Sequence, residues 1–161
     1  MLSDGRPNGK ASSTERNDDG GTFLSFSAEL GNPRPDRALV GEVFLDADLA
    51  WRPFDVEVDG RRRSIAHEDG CELEIEGVPA LLGVTVRRLV ASGLVPGGKR
   101  EVEVLRIGLD EPARRLQARY TWLGGARFRY EVPADHEASW LTVRPKTGVV
   151  VSLEDAAELS T

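Results

Sequence analysis

The chain has 161 residues, 40% apolar and 30% charged, values of a soluble globular domain and too apolar for a wholly disordered chain. Its formal charge of −6, from 21 Lys and Arg against 27 Asp and Glu, excludes the concentrated basic face that a nucleic-acid partner requires. No apolar run approaches the ~20 residues of a membrane span, the opening MLSDGRP lacks signal-peptide regions, and Cys71 has no second cysteine for a disulfide, so a cytoplasmic protein with no membrane span is expected.

Residues 1–21 hold one large apolar residue after Met1 and many Gly, Ser, Asp and Asn. Such a segment buries too little to offset its ordering entropy, so it reads as a flexible tail before a single β domain over 22–161. From Thr22 onward the apolar period is mostly two. Leu24, Phe26 and Ala28 alternate with polar neighbours, and 38–47 makes a second strand. Phe54, Val56 and Val58 alternate with acids and end at Asp59-Gly60, a tight-turn dipeptide. Cys71, Leu73 and Ile75 alternate with glutamates, and the β-branched 84–90 run reads as the next strand before Gly93.

The second half continues this pattern. Strands are expected over 100–109, 116–123 and 127–132, the last two joined by Gly124-Gly125, and a further hairpin joins Trp140–Arg144 to Val149–Val151. A turn is expected at 110–115, and 153–159 alone reads as helical, with Ser152 as N-cap. The expected fold is therefore all-β and mostly antiparallel: a curved sheet or spiral β-roll of about nine strands with a short C-terminal helix. No helix longer than two turns is expected within 54–132, and no parallel βαβ unit.

Little of the sequence carries catalytic chemistry. His67 and His136 each sit among carboxylates, in no spacing that preorganises metal ligands. Cys71 opens an alternating strand on its apolar side, where a thiol serves as a small hydrophobe. There is no nucleophile elbow and no phosphate-binding glycine loop. No cofactor or metal is implied, and the residues weigh against an enzyme. The arginines Arg119, Arg127 and Arg129 share the face opposite Tyr120, Trp122, Phe128 and Tyr130, positioned for cross-strand pairs with glutamates or for bidentate oxyanion contacts.

Over 39–155 the order of segments resembles the glycolipid-binding family of bacterial proteins. The resemblance rests on DADLAWR at 46–52, VEVDG at 56–60, DGCELEI at 69–75, VTVRRL at 84–89, LQARYTWLG at 116–124, RFRYE at 127–131 and LTVRPKTGVVV at 141–151. It implies a spiral β-roll that binds a lipid or glycolipid. The function expected is a non-catalytic binding protein for an amphipathic small molecule, lined by Trp51, Phe54, Tyr120, Trp122, Phe128, Tyr130 and Trp140, with Arg87, Arg88 and Arg129 toward a headgroup. A protein-interaction or structural β module is the alternative.

Overall fold

The computed structural model describes residues 10–18, 20–30, 37–68, 70–108 and 112–155. Within these, eleven strands form two sheets, so the β class holds, with two strands more than the sequence suggests. The chain divides into two compact units.

The first unit is a five-stranded antiparallel meander in chain order: β1 (Lys10–Asp18), β2 (Gly21–Leu30), β3 (Arg37–Asp46), β4 (Phe54–Val58) and β5 (Arg61–Ile65). Period-two alternation puts Leu24, Phe26, Ala28, Leu39, Val43, Leu45, Val56 and Val58 on one buried face. Asp59 (φ 54°) and Gly60 (φ 81°) both adopt positive φ between the directly paired Val58 and Arg61, as a type I′ hairpin requires. β1 corrects the expected tail over 10–18: it pairs with β2 along its whole length although residues 11–18 are exposed. A strand held by its main-chain ladder and by polar side-chain contacts such as Ser12 to Ser27 and Asn17 to Thr22 leaves no apolar signal. The remainder of that expected tail, 1–9, lies outside the described residues.

The second unit is a six-stranded mixed sheet, in spatial order β11 (Val150–Asp155), β10 (Glu137–Val143), β9 (Arg127–Val132), β8 (Arg114–Gly124), β7 (Lys99–Ile107) and β6 (Cys71–Ile75). β6 and β7 run parallel, joined by helix α1 (Ala80–Ala91). This overturns two expectations, a strand at 84–90 and the absence of a helix or βαβ crossover. The β-branched Val84-Thr85-Val86 suggested extension, but the buried residues Leu82, Val86 and Leu89 recur at helical spacing. The end is a Schellman motif. Gly93 sits at φ 112°, its N–H donates to Val90 O at 3.2 Å, and Leu94 N–H donates to Leu89 O at 2.9 Å.

Helix α1 packs against both β6 and β11, which are the two edges of this sheet. Laid flat, six strands would hold those edges roughly 24 Å apart, about twice a helix diameter. The sheet therefore curls around α1, and a core of Leu82, Val86, Leu89, Val104, Ala118, Tyr120, Phe128, Tyr130, Leu141 and Val143 fills the curl. Gly83 makes the fit possible: a Cβ there would stand 1.9 Å from the Gly148 carbonyl oxygen. At the C-terminus, residues 152–155 belong to β11 and not to a helix; the rest of the expected helix, 156–159, lies outside the described residues, as do Leu109 and 110–111.

Candidate functional site

The aromatic residues singled out from sequence do not line one surface. Trp51 and Phe54 lie buried in the first unit, edge to face at 6.1 Å, with His67 against Trp51 at 4.9 Å. Trp51 is placed by the DADLAWR loop. Asp46 Oδ1 accepts from the Asp48 and Ala50 N–H groups at 2.9 and 3.0 Å, Leu49 takes φ 65°, and Trp51 bridges back to Leu45. The Ala50 N–H, helped by Arg52, holds the Asp46 carboxyl below its ordinary pKa against the opposing effect of burial.

In the second unit Tyr120 and Phe128 are 0% exposed and Tyr130 is 2% exposed, so these three rings fill the curl around α1 and face no open concavity. Trp122, half-buried, stacks on Phe128 at 5.4 Å and donates from Nε1 to Gly125 O at 3.0 Å. Trp140 stands on the opposite face, with the Arg127 and Arg129 guanidiniums over its ring. Arg87 is half-buried on α1, and Arg88 pairs with Glu72 of β6. His67 and His136 lie in different units, and no group of three metal-ligating side chains occurs among the described residues. Cys71 is buried and takes part in no disulfide.

Sequence reasoning missed a buried ionic network in the curl. Glu74, 6% exposed, accepts from Tyr130 Oη at 2.5 Å and from Arg106 Nη2 at 3.0 Å. Arg106 also donates to Tyr130 Oη and to Glu137, both at 2.9 Å, and lies 3.5 Å from Asp135. Burial raises the Glu74 pKa above its ordinary value, more than Tyr130 and Arg106 lower it. Burial raises the Tyr130 hydroxyl in turn, and the Glu74 charge adds to it. Glu72, raised chiefly by burial, receives Arg88 and the Thr85 hydroxyl. Alternation in Cys71–Ile75 was legible, but its glutamates read as solvent-facing; β6 is in fact covered on both faces.

Open space lies instead on the first unit. The face of its sheet opposite the core holds a groove of about 510 Å³. One row of directly paired residues crosses all five strands: Ser12, Ser27, Val40, Glu57 and Arg62. Beside it run Thr14, Ser25 and Glu42, with Asp55 on β4. Val40, 49% exposed, gives the groove an apolar floor. On the core side of the same strand Gly41 is required, since a Cβ would stand 2.8 Å from Cζ of the buried Phe26. Around the floor the polar groups are already oriented: Ser25 donates to Glu42 at 2.7 Å, Ser64 to Asp55 at 2.7 Å, and the Ser12 and Ser27 hydroxyls are 2.9 Å apart. Three carboxylates against the single Arg62 make the groove net acidic.

Compared with known proteins, the chain matches no family model and no curated protein. It is similar in structure to a DUF1089 family protein from Pseudomonas aeruginosa, with a TM-score of 0.66 and 22% identity, covering 89% of this chain and 88% of that one. At that identity the likeness is one of fold. The glycolipid-binding resemblance finds no support in these comparisons.

Proposed function

We propose that the protein is a non-catalytic binding module for an amphipathic small molecule, held on the outer face of the five-stranded sheet. The observation that carries this reading is the groove: its volume lies in the range of small-molecule sites, and an apolar floor is ringed by oriented hydroxyls and carboxylates. The site is thus different from the aromatic set expected from sequence, of which Trp51, Phe54, Tyr120, Phe128 and Tyr130 are buried in the two cores. Glu42, Asp55 and Glu57 repel an anionic head and accept hydrogen bonds from a hydroxylated or cationic one. The Val40 floor takes an alkyl tail, each buried methylene contributing about 0.8 kcal/mol, or roughly fourfold in affinity.

The test is a calorimetric titration with alkyl chains of increasing length carrying trimethylammonium, hydroxylated or carboxylate heads. Affinity should climb with chain length for the first two heads and not for the third, and Val40→Asp should abolish it. Equal binding of all three heads, or none of any, refutes the reading. A protein-interaction module is the second reading, favoured by Val149, Val151 and Leu153, which are 49%, 60% and 42% exposed at and before edge strand β11.

A further inference from the structure

The arginines on the outer face of the curled sheet are not equivalent. Arg115 pairs with Glu103 at 2.6 Å and Arg119 with Glu101 at 2.8 Å, the cross-strand neutralisation that a sheet rich in both charges favours. Arg127 and Arg129 are held differently. Alternation against the buried Phe128 and Tyr130 puts both on the outer face of β9, and the register sets Trp140 of β10 directly beside Arg129. Their guanidinium carbons stand 5.7 and 5.0 Å from the Trp140 ring centroid.

A guanidinium lying on an indole is fixed by cation–π attraction, yet its N–H groups, in the plane of the fork, stay free to donate. Among the described residues Arg129 gives only Nε to a carboxylate, Glu131 at 3.4 Å. Arg127 has no carboxylate partner among the described residues. Thr121 and Thr142 flank the pair, opposite Arg129 and Arg127 respectively. Glu154, the acid across β10, is separated from the arginines by Trp140 itself. Glu131 is shared with Arg119, 3.9 Å away, which draws its charge toward β8.

We infer that Arg127 and Arg129, braced on Trp140, form an oxyanion site for a phosphate group. Phosphate suits the geometry because its oxygens accept from two forks at once, whereas one carboxylate saturates one fork. The site is on the second unit, apart from the groove, and stands whether or not that reading holds. The phosphate can come from a soluble ester or from a lipid headgroup, and one experiment separates them.

The ¹⁵N-labelled full chain is titrated with inorganic pyrophosphate at fixed ionic strength, following the arginine Nε–H and Trp140 indole resonances. In parallel it is sedimented with phosphatidylcholine vesicles with and without phosphatidic acid. Saturable shifts at Arg127, Arg129 and Trp140 support a soluble phosphate ester. Sedimentation that needs phosphatidic acid and is lost in Arg127→Gln/Arg129→Gln supports a headgroup. The responding arm should weaken at least about tenfold in Arg129→Gln, the size of a charge-assisted hydrogen bond, and little in Arg119→Gln. Silence in both arms, or an equal loss in Arg119→Gln, overturns the site, since the latter means diffuse charge and no built pair.

Discussion

Replacing Arg106 with methionine tests the energetics of the curled sheet most sharply. The substitution keeps the length and apolar stem of the side chain but strips Glu74, 6% exposed, of its guanidinium. Removing one partner of a buried pair costs about 3–5 kcal/mol, because the other charge is left desolvated. The cost depends on pH in a definite direction. Burial already raises the folded-state pKa of Glu74 above the ordinary 4.5, so the folded chain holds that proton more tightly than the unfolded chain. A group of this kind contributes most below the unfolded value, and its contribution declines as pH rises toward the folded value. Without Arg106 the folded value climbs further and the decline steepens. In urea unfolding followed by circular dichroism, Arg106→Met should lose about 3–5 kcal/mol at about pH 8 and clearly less at about pH 5. Adding Glu74→Gln should recover most of the loss at the higher pH. A cost below about 1 kcal/mol at both values, one that grows on acidification, or no rescue by Glu74→Gln refutes the reasoning.

Three further substitutions follow from the packing. Gly83→Ala should lower stability by about 1–3 kcal/mol despite alanine's better helix propensity, since its Cβ meets the Gly148 carbonyl 1.9 Å away; a thermal melt at or above wild type contradicts this. Asp46→Ala should cost about 1–2 kcal/mol through the two lost N–H acceptor bonds of the Trp51 loop. Because the Asp46 pKa is lowered in the folded chain, that difference should be full at neutral pH and vanish as pH falls through its folded value, so a difference that persists in acid counts against it. Tyr120→Phe removes a fully buried hydroxyl that has no well-formed hydrogen bond among the described residues and only Thr85 as a side-chain neighbour for one, and calorimetry should find stability unchanged or raised by up to about 1 kcal/mol; a clear loss shows that Thr85 satisfies the hydroxyl.

What could be read from the sequence followed from which residues are covered on one face only. Phe54–Val58 and Arg127–Val132 bury every second side chain, and their alternation names both the strand and its faces. Helix α1 escaped because Val84-Thr85-Val86 and the Leu82, Val86, Leu89 spacing point to different structures, and burial against the curled sheet decides for the helix. β1 and β5 were unreadable for another reason. Most of their side chains are exposed, and Arg61 and Arg62 guard an edge without burying anything. The groove is invisible to apolar periodicity because serines, threonines and acids line it, and only the register of five strands brings them together. The buried network was hidden by the reverse error, since glutamates alternating in β6 look like a solvated face until Arg106 and Arg88 are placed beside them.

The binding claim is tested most directly by mapping where an amphipathic ligand lands. A ¹⁵N-labelled sample titrated with a long-chain alkyl trimethylammonium below its micelle concentration should show saturable amide shifts at Ser12, Ser25, Ser27, Val40, Gly41 and Glu57, with Tyr120, Phe128 and Tyr130 unmoved. Shifts centred on those three rings and α1, or none in either unit, contradict the account.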